Sequence, residues 1–186
     1  MPPLSSADRS ALLALARQSM ISAVVHQRIP DLAPPTGTLA APGGAFVTLF
    51  CKSRLRGCVG RTDRALALAE TVAQCAIGAA LHDPRFPPIT SDEIDAIQIE
   101  VSVLSALQPI SLGAIRPGTH GLVVSRGPAR GILLPQVASE HNWSAERFLE
   151  ETSRKAGLDP KAWRDPGTNL EAFTVEIIAE SDSQRG

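Results

Sequence analysis

An α+β fold, mainly antiparallel sheet flanked by helices, is predicted by three features of this 186-residue chain. Its apolar patterns run in the order helix, hairpin, helix, strand, hairpin, helix, strand, which mixes the two periodicities without the strict alternation of a parallel sheet. Two pairs of β-prone runs are separated only by short turns, the spacing of hairpins. No internal repeat, heptad or low-complexity block competes with that reading.

The elements follow in order. Residues Ser6–Arg28 place Leu12, Leu13, Leu15, Ala16, Met20, Ile21, Val24 and Val25 largely on one side of a helix, with Ser6 as the capping residue. Residues Pro30–Gly44 are a Pro/Gly/Ala linker without regular structure. Ala45–Cys51 and Leu55–Val59 form a hairpin through Lys52-Ser53-Arg54. A helix over Asp63–Leu81, capped by Asp63, presents small alanines to a close neighbour. His82–Pro88 is a loop, because three prolines remove the donors a ladder or helix needs.

Thr90-Ser91-Asp92-Glu93 reads as the capping box of one short helix. Ile97–Leu107 alternates as a half-buried strand, with Ile97, Ile99, Val101 and Val103 on one face and Gln98, Glu100, Ser102 and Leu104 on the other. A second hairpin joins Leu122–Ser125 to Arg130–Leu134, and Pro135 opens a further helical turn. Ser144–Ala156 is a helix stopped by Gly157, and Ala172–Ala179 is the closing strand.

Composition narrows the function classes. Hydrophobic residues make up 44% and charged residues 20%, with 18 basic and 19 acidic side chains and a net charge of −1. That balance argues against a dedicated nucleic-acid or membrane-surface binder, which carries a basic excess. No apolar stretch approaches the ~20 residues that cross a bilayer, and Met1-Pro2-Pro3-Leu4-Ser5 lacks the basic and apolar regions of a secretory signal. Three cysteines without a framework pattern fit a reducing compartment, so the expected location is the cytoplasm. Five Phe, two Trp and no Tyr offer no clustered stacking platform for bases.

The chemical signal sits in Leu55-Arg56-Gly57-Cys58-Val59-Gly60, a cysteine between two glycines at a strand turn. A neighbouring cation, Arg56, favours the reactive thiolate, and Gly57 and Gly60 allow positive φ or the close approach of a ligand to the backbone. The bland alternative is a small buried apolar residue.

This hexapeptide resembles the signature of the AMMECR family, the A component of the AmmeMemoRadiSam gene set. Further stretches agree in the same order: Asp83-Pro84-Arg85-Phe86-Pro87-Pro88, Ile99-Glu100-Val101-Ser102-Val103-Leu104, His120-Gly121-Leu122, Leu134-Pro135-Gln136-Val137 and Lys155-Ala156-Gly157-Leu158. Val59 stands where isoleucine is usual. The resemblance covers roughly residues 8–180 and implies one AMMECR-type domain over the whole chain, with two unequal lobes and a cleft that holds the hexapeptide. It also implies two partners, a Memo-like protein and a radical S-adenosylmethionine enzyme.

Three functions compete. In the first, the chain is a small enzyme: Cys58 is nucleophile or acid/base, His120 its base, and Glu100 orients His120 or pairs with Arg56 or Arg85. Arg56, Arg85 and Asp83 would then hold a substrate, with N–H groups near Gly57 and Gly60 stabilising developing charge and Gln136 offering a helix-start contact. In the second, the chain is a non-catalytic adaptor of the same system. In the third, the cations Lys52, Arg54, Arg56, Arg61 and Arg64 bind RNA or a nucleotide phosphate. Cys51, Cys75, His26 and His141 read as packing or peripheral residues, while His82 opens the proline loop. No metal-ligand spacing or phosphate loop is present, and no cofactor is expected. The aliphatic content leaves room for a homodimer face.

Overall fold

The computed structural model describes residues 3–30 and 34–180. The chain divides into two compact units, residues 1–104 with 176–186 and residues 105–175. In place of one sheet there are two antiparallel ones of four strands each.

The first unit holds helix α1 (Ser6–His26), strands β1 (Ala45–Cys51) and β2 (Arg54–Arg61), helix α2 (Leu68–Leu81) and strand β3 (Ile97–Leu104). Helix α1 is capped by Ser5, one residue earlier than expected. The Ser5 hydroxyl accepts from the Asp8 N–H, and Asp8 returns the contact to the Ser5 N–H at 3.0 Å. It stops at His26 because Gln27 takes a left-handed conformation, φ 49°.

The predicted linker contains a 3-10 turn over Gly37–Ala40, and its residues 31–33 lie outside the described residues. Helix α2 begins at Leu68, five residues after the expected cap. The Leu68 N–H donates to Ala41 and the Gly43 N–H to Leu66, so backbone pairing with the incoming chain sets this end. Asp63 instead accepts from the Ala65 N–H and pairs with Arg61.

Alternation decides which face is buried. Val47 and Leu49 of β1 and Ile99 and Val101 of β3 point to the helical side and pack with Leu12 and Met20 of α1 and Leu68 and Val72 of α2. Each is at most 1% exposed, and burial of such a side chain stabilises by roughly 1.5–3 kcal/mol. Between α2 and β3, Thr90 opens a 3-10 turn over Ser91–Ala96, and its N–H and hydroxyl both donate to the Glu93 carboxylate.

The second unit contains β4 (Gln108–Pro109), β5 (Gly121–Arg126), β6 (Ala129–Leu133), α3 (Pro135–Glu140), α4 (Ala145–Lys155) and β7 (Asn169–Phe173), with strand order β4-β7-β5-β6. Leu122, Val124, Phe148, Leu149 and Ala172 form its core. Ser144 caps α4, and Gly157 ends it with φ 73°. The predicted closing strand is two strands. After Phe173 the chain leaves this sheet, and β8 (Val175–Ala179) joins the first sheet, whose order is β2-β1-β3-β8. Ile178 then packs in the first core, while Glu176 and Glu180 pair with Arg9 and Arg17 of α1.

The β1–β2 turn carries a local strain. Lys52 and Ser53 both have positive φ, 49° and 62°, the pair of values that a two-residue hairpin turn asks for and that Asn-Gly meets most cheaply. Ser53→Gly is expected to raise the urea midpoint, by a stabilisation of about 1 kcal/mol. An unchanged or lower midpoint would show that the turn stores no strain at that residue.

Candidate functional site

Strand β2 is an edge strand, and its free edge explains most of the hexapeptide. Cys58 stands opposite Thr48, and Thr48 stands opposite Glu100 on the other side of β1. Directly opposed residues share a face, so Cys58, Thr48 and Glu100 form a row on the face turned away from α1 and α2. The Thr48 hydroxyl donates to Cys58 Sγ at 3.4 Å. Cys58 is half-buried, and its thiol is free.

The main chain of Cys58 is held from the edge by two side chains of the proline loop. Asp83 Oδ2 accepts the Cys58 N–H at 2.8 Å, and Arg85 Nη2 donates to the Cys58 carbonyl at 3.3 Å. The two side chains bind each other as well, Arg85 Nε to Oδ1 at 2.9 Å and Nη2 to Oδ2 at 2.7 Å. Together they fill the positions a neighbouring strand would occupy, which blocks edge pairing. Asp83 is 5% exposed. The Arg85 guanidinium, helped by the N–H groups of Cys58 and Arg85, holds its carboxyl well below the usual carboxylate range against the effect of burial. Arg85 is held in its charged form first by Asp83 and in smaller part by the Cys58 thiol beside it.

Arg56 does not serve Cys58. The β1–β2 ladder shifts between Leu49 and Phe50, which pair with Gly57 and Leu55, so Arg56 is the extra residue of a bulge. Its guanidinium meets Glu93 at 2.8 and 2.9 Å and donates to the carbonyls of Pro87 and Pro88. Glu93 is thereby held at about 2, by Arg56 first and then by the Thr90 N–H. The cation that reaches Cys58 is Arg85, on its carbonyl, and Arg56, expected there, is a pin between β2 and the proline loop.

The glycines also differ from expectation. Neither Gly57 nor Gly60 has positive φ, and both lie within β2 rather than in a turn. A Cβ on Gly57 would stand 2.1 Å from the Ala79 carbonyl oxygen of α2, and one on Gly60 would stand 2.0 Å from the Phe46 ring. They are glycines because a helix backbone and an aromatic ring occupy the space. Of the N–H groups expected to stabilise developing negative charge here, that of Cys58 is taken by Asp83.

Glu100 is half-buried in the row described above. Arg56 and Arg85, the partners expected for it, form ion pairs with Glu93 and Asp83. His120 belongs to the second unit, where its Nδ1 accepts from the Arg116 N–H at 3.2 Å. Gln136 sits in the first turn of the six-residue α3 of that unit. Cys75 is buried in α2, donates to the Ala45 carbonyl at 3.6 Å, and has its thiol pushed up to about 11 by burial. His82 closes α2 through its N–H to Gly78. Of the five cations in the basic run, Arg56 and Arg61 are consumed by Glu93 and by Asp63 with Gln74.

Among the described residues no group of three or more His, Cys, Asp or Glu is arranged to hold a metal ion, and no helix is long and apolar enough to cross a membrane. Two contributors escaped the sequence reading. Thr48 is the one hydroxyl in the Ala45–Cys51 run, a signal that strand pairing alone turns into a thiol contact. Glu93 was accounted for as a cap, and its second oxygen serves Arg56.

Comparison with known proteins returns one family. The AMMECR1 family model matches residues 13–178. A protein of Methanothermobacter thermautotrophicus is 40% identical, with 96% of this chain and 97% of that one covered. Protein TK0174 of Thermococcus kodakarensis is 39% identical over 91% of this chain and 88% of its own. The crystal structure of the uncharacterized protein PH0010 from Pyrococcus horikoshii superposes with a TM-score of 0.76 at 37% identity, covering 90% of this chain and 88% of that one.

Proposed function

The chain belongs to the AMMECR1 family, and from there we propose that it is a cytoplasmic thiol enzyme whose reactive group is Cys58. It acts on a small or modified substrate and works with a Memo-like protein and a radical S-adenosylmethionine enzyme. One observation carries the reading. The Cys58 main chain is fixed from the strand edge by Asp83 and Arg85, while its thiol stays free, half-buried and in contact with the Thr48 hydroxyl. Fixing a nucleophile before substrate arrives removes ordering from the reaction step. Arg85, 56% exposed at its side chain, is the group to hold an anionic part of the substrate. Glu100, in the same row, supplies acid–base capacity.

The test is a thiol probe titrated from acid to alkaline pH, with each cysteine read separately by mass spectrometry. Cys58 is expected to label fastest and to slow several-fold in Arg85→Gln, through loss of the neighbouring cation. Cys75 is expected to stay unlabelled in the folded protein at neutral pH, because burial raises its thiol to about 11. Labelling of Cys58 no faster than Cys51 would make it a packing residue and end the enzyme reading.

A second reading has its own observation: Arg56 and Asp83 are consumed by contacts within the fold. The chain is then an adaptor of the same system, and Cys58→Ser would keep full partner binding and pathway output.

A further inference from the structure

A second site lies along α1 in the first unit, in a groove of about 600 Å³, a size that suits a small ligand. The sequence builds it by reversing the chain at the end of α1. Gln27 takes φ 49°, the Arg28 N–H donates to the Ser22 carbonyl at 3.3 Å, and the Ser22 hydroxyl donates back to the Arg28 carbonyl at 3.0 Å. That double tie fixes Ile29 and Pro30 as lining residues alongside Gln18 and Ile21 of the helix.

Among the described residues the lining holds the cations Arg17 and Arg28 and the imidazole of His26, and no Asp or Glu. Arg17 is already balanced, since Glu180 and the carbonyls of Ile94 and Ile97 take its donors. The remaining ion pairs of the first unit engage Arg9, Arg56, Arg61 and Arg85, which leaves Arg28 outside any ion pair among the described residues, with His26 beside it in the lining. The negative end of α1 accounts for cations at this point. It does not account for Ile29, which is 82% exposed beside them. A guanidinium and an imidazole next to a solvent-facing isoleucine are matched by a ligand with an anionic head and an apolar chain.

We propose that this groove binds a small amphiphilic anion, an aliphatic carboxylate whose chain lies on Ile21 and Ile29 and whose head meets Arg28 and His26. The site is independent of Cys58 and of the thiol chemistry.

The experiment follows backbone amide shifts of the labelled full chain while octanoate is added, with octylammonium as the charge-reversed control. Saturable shifts centred on residues 18–30 with octanoate, and none with octylammonium, are expected. Arg28→Gln is expected to weaken octanoate about tenfold by removing a charge-assisted contact, and Ile29→Ser to weaken it as well. Both side chains are exposed, so the melting temperature of each variant should stay at the wild-type value. Cys58→Ser should bind octanoate unchanged. Absent or unsaturable shifts, equal response to octylammonium, or full affinity in Arg28→Gln would each overturn the assignment.

Discussion

Gly57→Ala is expected to lower the melting temperature by on the order of 10 °C. A methyl group at this position would stand 2.1 Å from the Ala79 carbonyl oxygen and 3.1 Å from its carbon. Those are backbone atoms of α2, so no rotamer change relieves the contact and the helix must move off the sheet. Overpacking of this kind costs about 3 kcal/mol or more, and a chain of this size loses roughly 2–4 °C per kcal/mol. Gly60→Ala meets the Phe46 side chain, its Cγ at 2.2 Å included, so Phe46 must change χ1 rather than turn its ring, and with no backbone atom among the nearest contacts its loss should be smaller. Gly113→Ala meets nothing within 4 Å and should stay within about 0.5 kcal/mol of wild type. Thermal unfolding of the three variants followed by circular dichroism decides the order. A Gly57→Ala protein as stable as Gly113→Ala would mean that α2 is not held against β2 as described.

That prediction marks where the sequence was readable. Strand and helix identities in the first unit follow from local alternation and caps, because Val47, Leu49, Ile99 and Val101 declare their face without any knowledge of partners. The start of α2 does not, since tertiary backbone pairing with Ala41 and Gly43 overrides the capping potential of Asp63. Nor does the switch at Thr174, where one apolar run serves two sheets. An apolar strand pattern states that a face is buried, never against which neighbour.

The site shows the same division. The hexapeptide and the Asp83–Pro88 loop stood out as separate motifs, and their meaning lies in the distance between them. Which arginine meets which carboxylate is a property of the bulge at Arg56 and of the β2 edge, neither of which has a local signature. Hence the sequence reading places Arg56 beside the thiol, whereas Arg56 pins the loop and Arg85, paired with Asp83, reaches the Cys58 carbonyl.

Asp83→Asn is expected to destabilise the protein by about 2 kcal/mol at neutral pH, the scale of a hydrogen bond to a charged group lost from a buried position. Asparagine keeps the volume and one acceptor for the Cys58 N–H, but its amide cannot accept from Arg85, so the guanidinium is released to solvent. The pH dependence distinguishes this from a packing effect. The folded-state pKa of Asp83 is depressed relative to the unfolded chain, with Arg85 the principal cause. The stability it contributes is therefore complete above the ordinary carboxylate value, ~3.9, and drains away as pH falls below it. Glu93, held at about 2 by Arg56, loses its contribution over the same acid range down to its folded value.

Urea midpoints of wild type and Asp83→Asn should thus converge between about pH 5 and pH 2. A gap of constant size would locate the loss in packing rather than in the ion pair. Asp83→Ala goes further, because it strips the acceptor from the Cys58 N–H and uncovers the β2 edge. Self-association of that variant at concentrations where wild type is dispersed would identify the Asp83–Arg85 pair as the guard of the edge. Loss of stability without self-association would limit the pair to holding Cys58 in place.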